Sequence, residues 1–355
     1  ANSALAVNYG KNFFTYPPLA YFSLGIFGLI LKPLVNADFL KNLASILPDV
    51  LSDNRLYWHL FITKLPYLFF DFGILWLLMK VFDDERKKVT AVLLWLFNPL
   101  VLYTSYMIGQ FDIIPVFFTI LSLYLVKRKK INWAVFALGI GGAFKMFPLF
   151  FIPFLIFGQG KKFKDSLKLS VIGFFPYILS IVPFIGSAIF RQTVLFSNQS
   201  QKIFFMKLPV TGAEYLSVFL TLYVFLVVFS LFKKTELWKW FLAVMLLLFS
   251  VTHYHPQWFL WLSPFLLILA VENKKTILFS AGLFLTWFIT TLLFEPSLSI
   301  SLFAPVSKNL INVIPPSETI NRFYDVFSFK SLVRSVAAGI SLGISTLVFK
   351  NEETA

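Results

Sequence analysis

Apolar residues fall into runs separated by short polar punctuation. The runs cover 59–80, 89–108, 111–126, 131–145, 147–157, 169–190, 212–232, 240–252, 258–271, 276–294 and 329–349. Most approach the length needed to cross a bilayer as a helix, about 20 residues. Among the runs that fall short of it are 131–145, 147–157 and 258–271. Short helices at membrane depth are tolerated where neighbours bury them or where they line a polar cavity. The pattern therefore predicts an all-α polytopic transmembrane bundle of about eleven segments, with short, broken helices around an outward-facing cavity. A further apolar stretch at 14–35 carries Pro17, Pro18 and Pro33. It reads as an interrupted segment dipping into the membrane from an external loop, 1–58. The remainder, 59–355, reads as one helical domain with external loops at 191–211 and 295–328.

Charge orients this picture. Eighteen of the 31 Lys and Arg residues lie in clusters around 80–88, 127–130, 161–168, 233–239, 274–275 and 350. Each cluster flanks an apolar run, and all fall on one side if successive runs form hairpins. The positive-inside rule makes that side cytoplasmic. The C-terminus is then cytoplasmic, and the longest loops gather outside, where a working site is expected. The net charge of +14 is topogenic on this reading and no sign of nucleic acid. The expected setting is a bacterial cytoplasmic membrane with the active site outside. An outside Ala1 implies a transmembrane helix upstream.

Composition agrees. The 355 residues are 58% hydrophobic and only 14% charged, with 46 Phe, 13 Tyr and 9 Trp. Mean hydropathy is +0.79. The absence of Cys excludes thiolate metal sites and cysteine nucleophiles. No Walker A, GxSxG or HExxH pattern occurs, and "DFG" at 71–73 lies inside an apolar run. Gly139, Gly141 and Gly142, and the pair Gly339 and Gly343, suggest close helix packing. Asn198-Gln199-Ser200 matches an N-glycosylation acceptor.

Ionisable groups inside apolar segments are costly and mark candidate function. "MIGQFDIIPVFF" (107–118) places Gln110 and Asp112 at one external hairpin. Lys145 ends "GGAFKMFP" at a second, and His253, His255 and Gln257 in "THYHPQWF" form a third. Lys64 and Asp71 share a helix face and read as a structural ion pair or as snorkelling residues. Arg191, Lys202, Lys207, Arg322 and Arg334 add charge outside, as a solvated face would. A lone Lys at a cavity mouth suits a phosphate. His-x-His could ligate zinc, but no third ligand lies nearby.

The ordered strings "FTYPPLAYF" (14–22), "LWLFNPLVLYTSYMIGQFD" (94–112), "LYLVKRKK" (123–130), "GAFKMFPLFFIPFL" (142–155) and "HPQWFLWLSPF" (255–265) resemble membrane glycosyltransferases of the GT-C superfamily. They look closest to the catalytic subunit of GPI mannosyltransferase I and to bacterial polyprenyl-phosphate-mannose-dependent transferases. The resemblance implies transfer of a sugar, mannose by preference, from a polyprenyl-phosphate donor to a glycan or glycolipid acceptor on the external face. It implies no cofactor beyond that lipid donor, and it leaves metal dependence open. Lys145 would contact the donor phosphate, with Arg322 as a second cation. Gln110 and Asp112 match the family's second acidic position, and Tyr16, His253, His255 and Gln257 would line the cavity. The family's main acid lies in the first external loop. Asp38, Asp49 and Asp53 follow the Tyr-Pro-Pro motif and do not match it, so the base is expected upstream of Ala1. A transporter or flippase of lipid-linked sugars would use similar polar cavities, and a lipid-binding partner without catalysis is a third reading.

Overall fold

The computed structural model describes residues 15–35, 39, 51, 53–158 and 162–350. Asp38 and Asp49 lie outside them. The protein is an all-α membrane bundle whose described part contains one small hairpin, Lys207–Pro209 paired antiparallel with Tyr215–Ser217.

The main helices in chain order are α1 Pro18–Leu31, α2 Leu56–Val81, α3 Glu85–Leu96, α4 Ile113–Lys127, α5 Ile131–Phe144 and α6 Ile152–Phe157. They continue as α7 Phe163–Ile181, α8 Val218–Phe232, α9 Leu237–Val251, α10 Ser263–Glu272, α11 Ile277–Leu292 and α12 Val326–Lys350. Among the described residues, five helical stretches are long and apolar enough to cross a membrane: Leu56–Val81, Glu85–Ile108, Phe163–Phe184, Lys274–Leu292 and Val326–Lys350. The three runs read as short are short in the structure too.

The stretch at 14–35 is less broken than its prolines suggest. α1 runs unbroken for 14 residues, with Pro18 in its first turn and Pro33 in the 3₁₀ turn beyond its end. Proline is well tolerated in the first helical turn, because its missing N–H has no intrahelical partner there and its φ is already helical. The run 89–108 is the reverse case. It breaks at Asn98-Pro99, where Asn98 Oδ1 accepts from the Leu100 N–H at 3.0 Å. The chain then winds through a π-helical turn, Leu102–Ile108.

α4 packs along α5, α5 along α7, and α2 against α4; α9 and α11 both pack on α12. Glycine brings α5 and α7 together: a Cβ on Gly139 would lie 2.0 Å from the Gly173 carbonyl oxygen. Gly339 and Gly343 do not act this way. Nothing lies within 4 Å of a Cβ built on either, so the expected close packing is absent at that pair.

The bundle has two distinct ends. At one, basic clusters meet acids of neighbouring helices and loops, as in Lys87–Glu272 at 2.5 Å and Lys127–Asp83 at 2.7 Å. At the other, loops fold over the helix ends. Tyr57 donates to the Pro305 carbonyl and Tyr103 to the Leu298 carbonyl, each at 2.7 Å.

Candidate functional site

The site begins with the π-helical turn. A π turn widens the helix and is stable only where neighbours fix its backbone. Here α2 supplies them. Lys64 Nζ donates to the Tyr106 carbonyl, and Tyr67 OH donates to the Gly109 carbonyl at 3.0 Å. Tyr106 OH and Trp95 Nε1 each donate to Asp71 at 2.6 Å. Lys64 and Asp71 therefore do not pair with each other, as a shared helix face suggested. Both clamp the turn between α3 and α4. The turn ends at Gly109, whose φ of +79° is left-handed. A side chain is strained in that region, and glycine is not.

Beyond this turn, Asp112 sits fully buried (0% exposed) at the start of α4. Its Oδ1 accepts from Lys145 Nζ and from Trp261 Nε1, both at 2.6 Å. Its Oδ2 is buried without a hydrogen-bond partner among the described residues. Lys145 follows the last turn of α5 and is 6% exposed. Rings surround it: its Nζ lies 4.8 Å from the ring centre of Tyr16, 5.0 Å from Trp261, 5.5 Å from Phe111 and 5.7 Å from Trp258. Such a cage replaces lost hydration with ring quadrupoles. The carboxylate supplies the rest, since a buried charge is tolerated only when paired and hydrogen-bonded.

The 3₁₀ segment Pro256–Trp261 builds one wall of the cage. With three residues per turn, side chains at i and i+3 eclipse. Trp258 and Trp261 accordingly stack at 5.0 Å and 15°, and Phe147 continues the stack onto Trp261 at 4.5 Å and 8°. The spacing Trp-x-x-Trp in "HPQWFLW" carries that signal, beside the polar His255 and Gln257 that stand out from sequence.

The cage opens into a cavity of about 110 Å³ that is continuous with open space beyond it. Its lining includes Tyr16, Lys145, Gln199, Lys202, Trp258 and Trp261. Asp112 is not part of the lining; it stands behind Lys145. Lys202, read from sequence as a solvated charge, is only 7% exposed, with its Nζ 4.8 Å from the Trp258 ring centre. Burial, and then the charge of Arg334, lower its pKa to about 8.

The other sequence-predicted residues are spread around this centre. His255 Nε2 lies 3.4 Å from Gln199 Nε2, at the rim. His253 meets Arg334, whose guanidinium also donates to the Thr252 carbonyl. Burial, then Lys202, brings both imidazoles down to about 4, so both are neutral near pH 7. Gln257 is buried in the wall, where its backbone carbonyl accepts from Thr104 Oγ1 at 3.3 Å and its side-chain Oε1 has no partner among the described residues. Gln110 is half-buried beside the π turn, its N–H donating to the Thr104 carbonyl at 2.9 Å. Arg322 is exposed beyond the short helix Pro316–Asn321 and does not line the cavity. The second cation facing the cavity is Lys202 in its stead. Among the described residues, no three His, Cys, Asp or Glu side chains are placed to hold a metal ion.

The family model of the GPI transamidase subunit PIG-U matches residues 39–266. The chain belongs to the PIG-U family. The match covers Asp112, Lys145, Lys202 and both stacked tryptophans, while Tyr16, Arg322 and Arg334 lie outside it. It reaches PIG-U, not the GPI mannosyltransferase I branch that the motifs resemble. No curated protein and no solved structure matches the chain.

Proposed function

We propose that this membrane protein receives a lipid-linked sugar, holds its phosphate at the Lys145–Lys202 cavity, and transfers the sugar to an acceptor hydroxyl of a glycan or glycolipid. The observation that carries the reading is a pair of largely buried lysines facing one apolar, aromatic cavity. Cations held in a low-dielectric site suit a leaving phosphate, since they need no reorganisation as charge develops there. The aromatic walls and the apolar helices beside them suit an isoprenoid or acyl tail. In the transfer, the acceptor oxygen bonds to the sugar's anomeric carbon and the bond from that carbon to the phosphate oxygen breaks. The lipid phosphate leaves toward the lysines. The acceptor proton goes to the departing lipid phosphate, which leaves as a dianion and can take it up; Asp112 is poorly placed for that task. It is fully buried, outside the cavity lining and already engaged by Lys145 and Trp261. Its part is to orient Lys145.

A second reading has its own support. The family description names a transamidase subunit, and an engaged Asp112 suits a protein that binds a glycolipid and presents it to a partner. One experiment separates the two. Full-length protein in liposomes is given radiolabelled polyprenyl-phosphate-mannose and a lipid acceptor, and both bound and transferred label are counted. Transfer supports the enzyme; saturable binding without transfer supports the presenting subunit. Neither binding nor transfer would overturn both.

A further inference from the structure

The two lysines facing the cavity are not equivalent. Lys145 has its counter-ion within 2.6 Å, so together with Asp112 it brings no net charge to an incoming anion. Lys202 has no carboxylate within ion-pair distance among the described residues. The charged neighbour acting on it among the described residues is another cation, Arg334. It is also held where charge is expensive: 7% exposed, above the Trp258 ring and lining an apolar cavity. Buried charges are normally paired. A buried lysine whose partner is missing, facing a cavity, is a site awaiting an anion.

We infer that Lys202 supplies the net positive charge that binds the phosphate ester, and that Lys145 contributes a preoriented N–H donor. This rests on the phosphate-binding reading above. It reverses the order expected from sequence, in which Lys145 was the phosphate ligand and Lys202 a surface charge.

The surroundings of Lys202 give the inference a pH signature. The groups facing this region are Lys145 backed by Asp112, Tyr16 of the segment preceding α1, His253 and His255 of the loop after α9, and Lys330 and Arg334 of α12. The histidines are neutral above about pH 5, since their pKa values lie at about 4. With a pKa of about 8, Lys202 is mostly charged at pH 7 and mostly neutral at pH 9. Anion affinity scales with the fraction in the competent, charged form, so it falls by about tenfold between pH 7 and pH 9.

The test uses the full chain in detergent micelles and follows tryptophan fluorescence, since Lys202 lies against Trp258. The probe is a short-chain polyprenyl-phosphate-mannose, a phosphodiester with one constant negative charge over this range. The matching polyprenol controls for tail binding, and inorganic phosphate is tried as competitor. Wild type is expected to lose affinity about tenfold from pH 7 to 9. Lys202→Met is expected to bind at least about tenfold more weakly at pH 7, with no pH dependence. Lys202→Arg keeps its charge, so it should retain binding and lose the fall near pH 8. That retention also separates lost charge from lost fold. Displacement by inorganic phosphate at micromolar concentration identifies a soluble anion as occupant, and its failure at millimolar concentration identifies the lipid; the role of Lys202 stands in both. Lys202→Met with wild-type affinity and wild-type pH profile overturns the inference while leaving phosphate binding intact. A wild type that binds the probe no better than the polyprenol overturns both.

Discussion

Two carboxylates, Asp71 half-buried and Asp112 fully buried, stand on either side of the π-helical turn, and each accepts an indole N–H at 2.6 Å. Asp71, on α2, completes its shell with the Tyr106 hydroxyl and pairs with no cation among the described residues. Asp112, past the turn, completes its shell with Lys145. The neutral shell ties helix to helix and fixes the backbone of the turn. The charged shell puts an ammonium at the edge of a cavity. One arrangement is built for shape and the other for charge, and the turn between them couples the two. Anything that lets the turn move also moves Asp112, and with it Lys145.

The comparison breaks most sharply at Lys145. Removing one partner of a buried ion pair leaves the other charge uncompensated, which costs about 3–5 kcal/mol. Lys145→Ala should therefore lower the thermal unfolding midpoint in micelles as well as weaken ligand binding. Replacing both partners, as in Asp112→Leu with Lys145→Met, should recover most of the stability and none of the binding. A Lys145→Ala protein as stable as wild type would show that the buried contact between Lys145 and Asp112 contributes nothing to stability.

Asp71 should be milder. Asp71→Asn retains one carbonyl oxygen as acceptor and strands no cation, so the loss is one hydrogen bond, on the order of 1 kcal/mol. Its effect should appear mainly downstream. With the π turn loosened, Lys145 loses alignment and ligand affinity falls more than stability does. Parallel unfolding and binding measurements on Asp71→Asn check this. Equal losses in the two would mean that the turn does not transmit.

These particulars explain which features were legible in sequence. The helical runs were, because bilayer thickness imposes a length on apolar segments whatever their partners. Asp112 and Lys145 stood out because each interrupts such a run, although their pairing across 33 residues is a fact of tertiary structure. Lys202 did not stand out. Its sequence neighbours in "SNQSQK" are polar, and its burial comes from Trp258 on another element. Asp71 was visible as a charge, but its partners, Trp95 and Tyr106, lie across a helix break that the unbroken run 89–108 concealed. Prolines misled at 14–35, where they mark the ends of α1 and leave its interior intact.

The smallest expected effect sharpens the contrast from outside the site. Lys87 and Glu272 lie 2.5 Å apart at the opposite end of the bundle, so by distance their pair is at least as good as Lys145 with Asp112. Both side chains are about a third exposed or more. Water there already solvates each charge, the attraction is weak in high dielectric, and ordering two long side chains opposes it. Such pairs contribute about 0–1 kcal/mol. Lys87→Ala should leave the unfolding midpoint nearly unchanged in 150 mM salt, against the large fall expected for Lys145→Ala under the same conditions. Equal falls for the two variants would mean that distance, and not burial, sets the strength of both pairs, and the charged cage around Lys145 would lose its special standing.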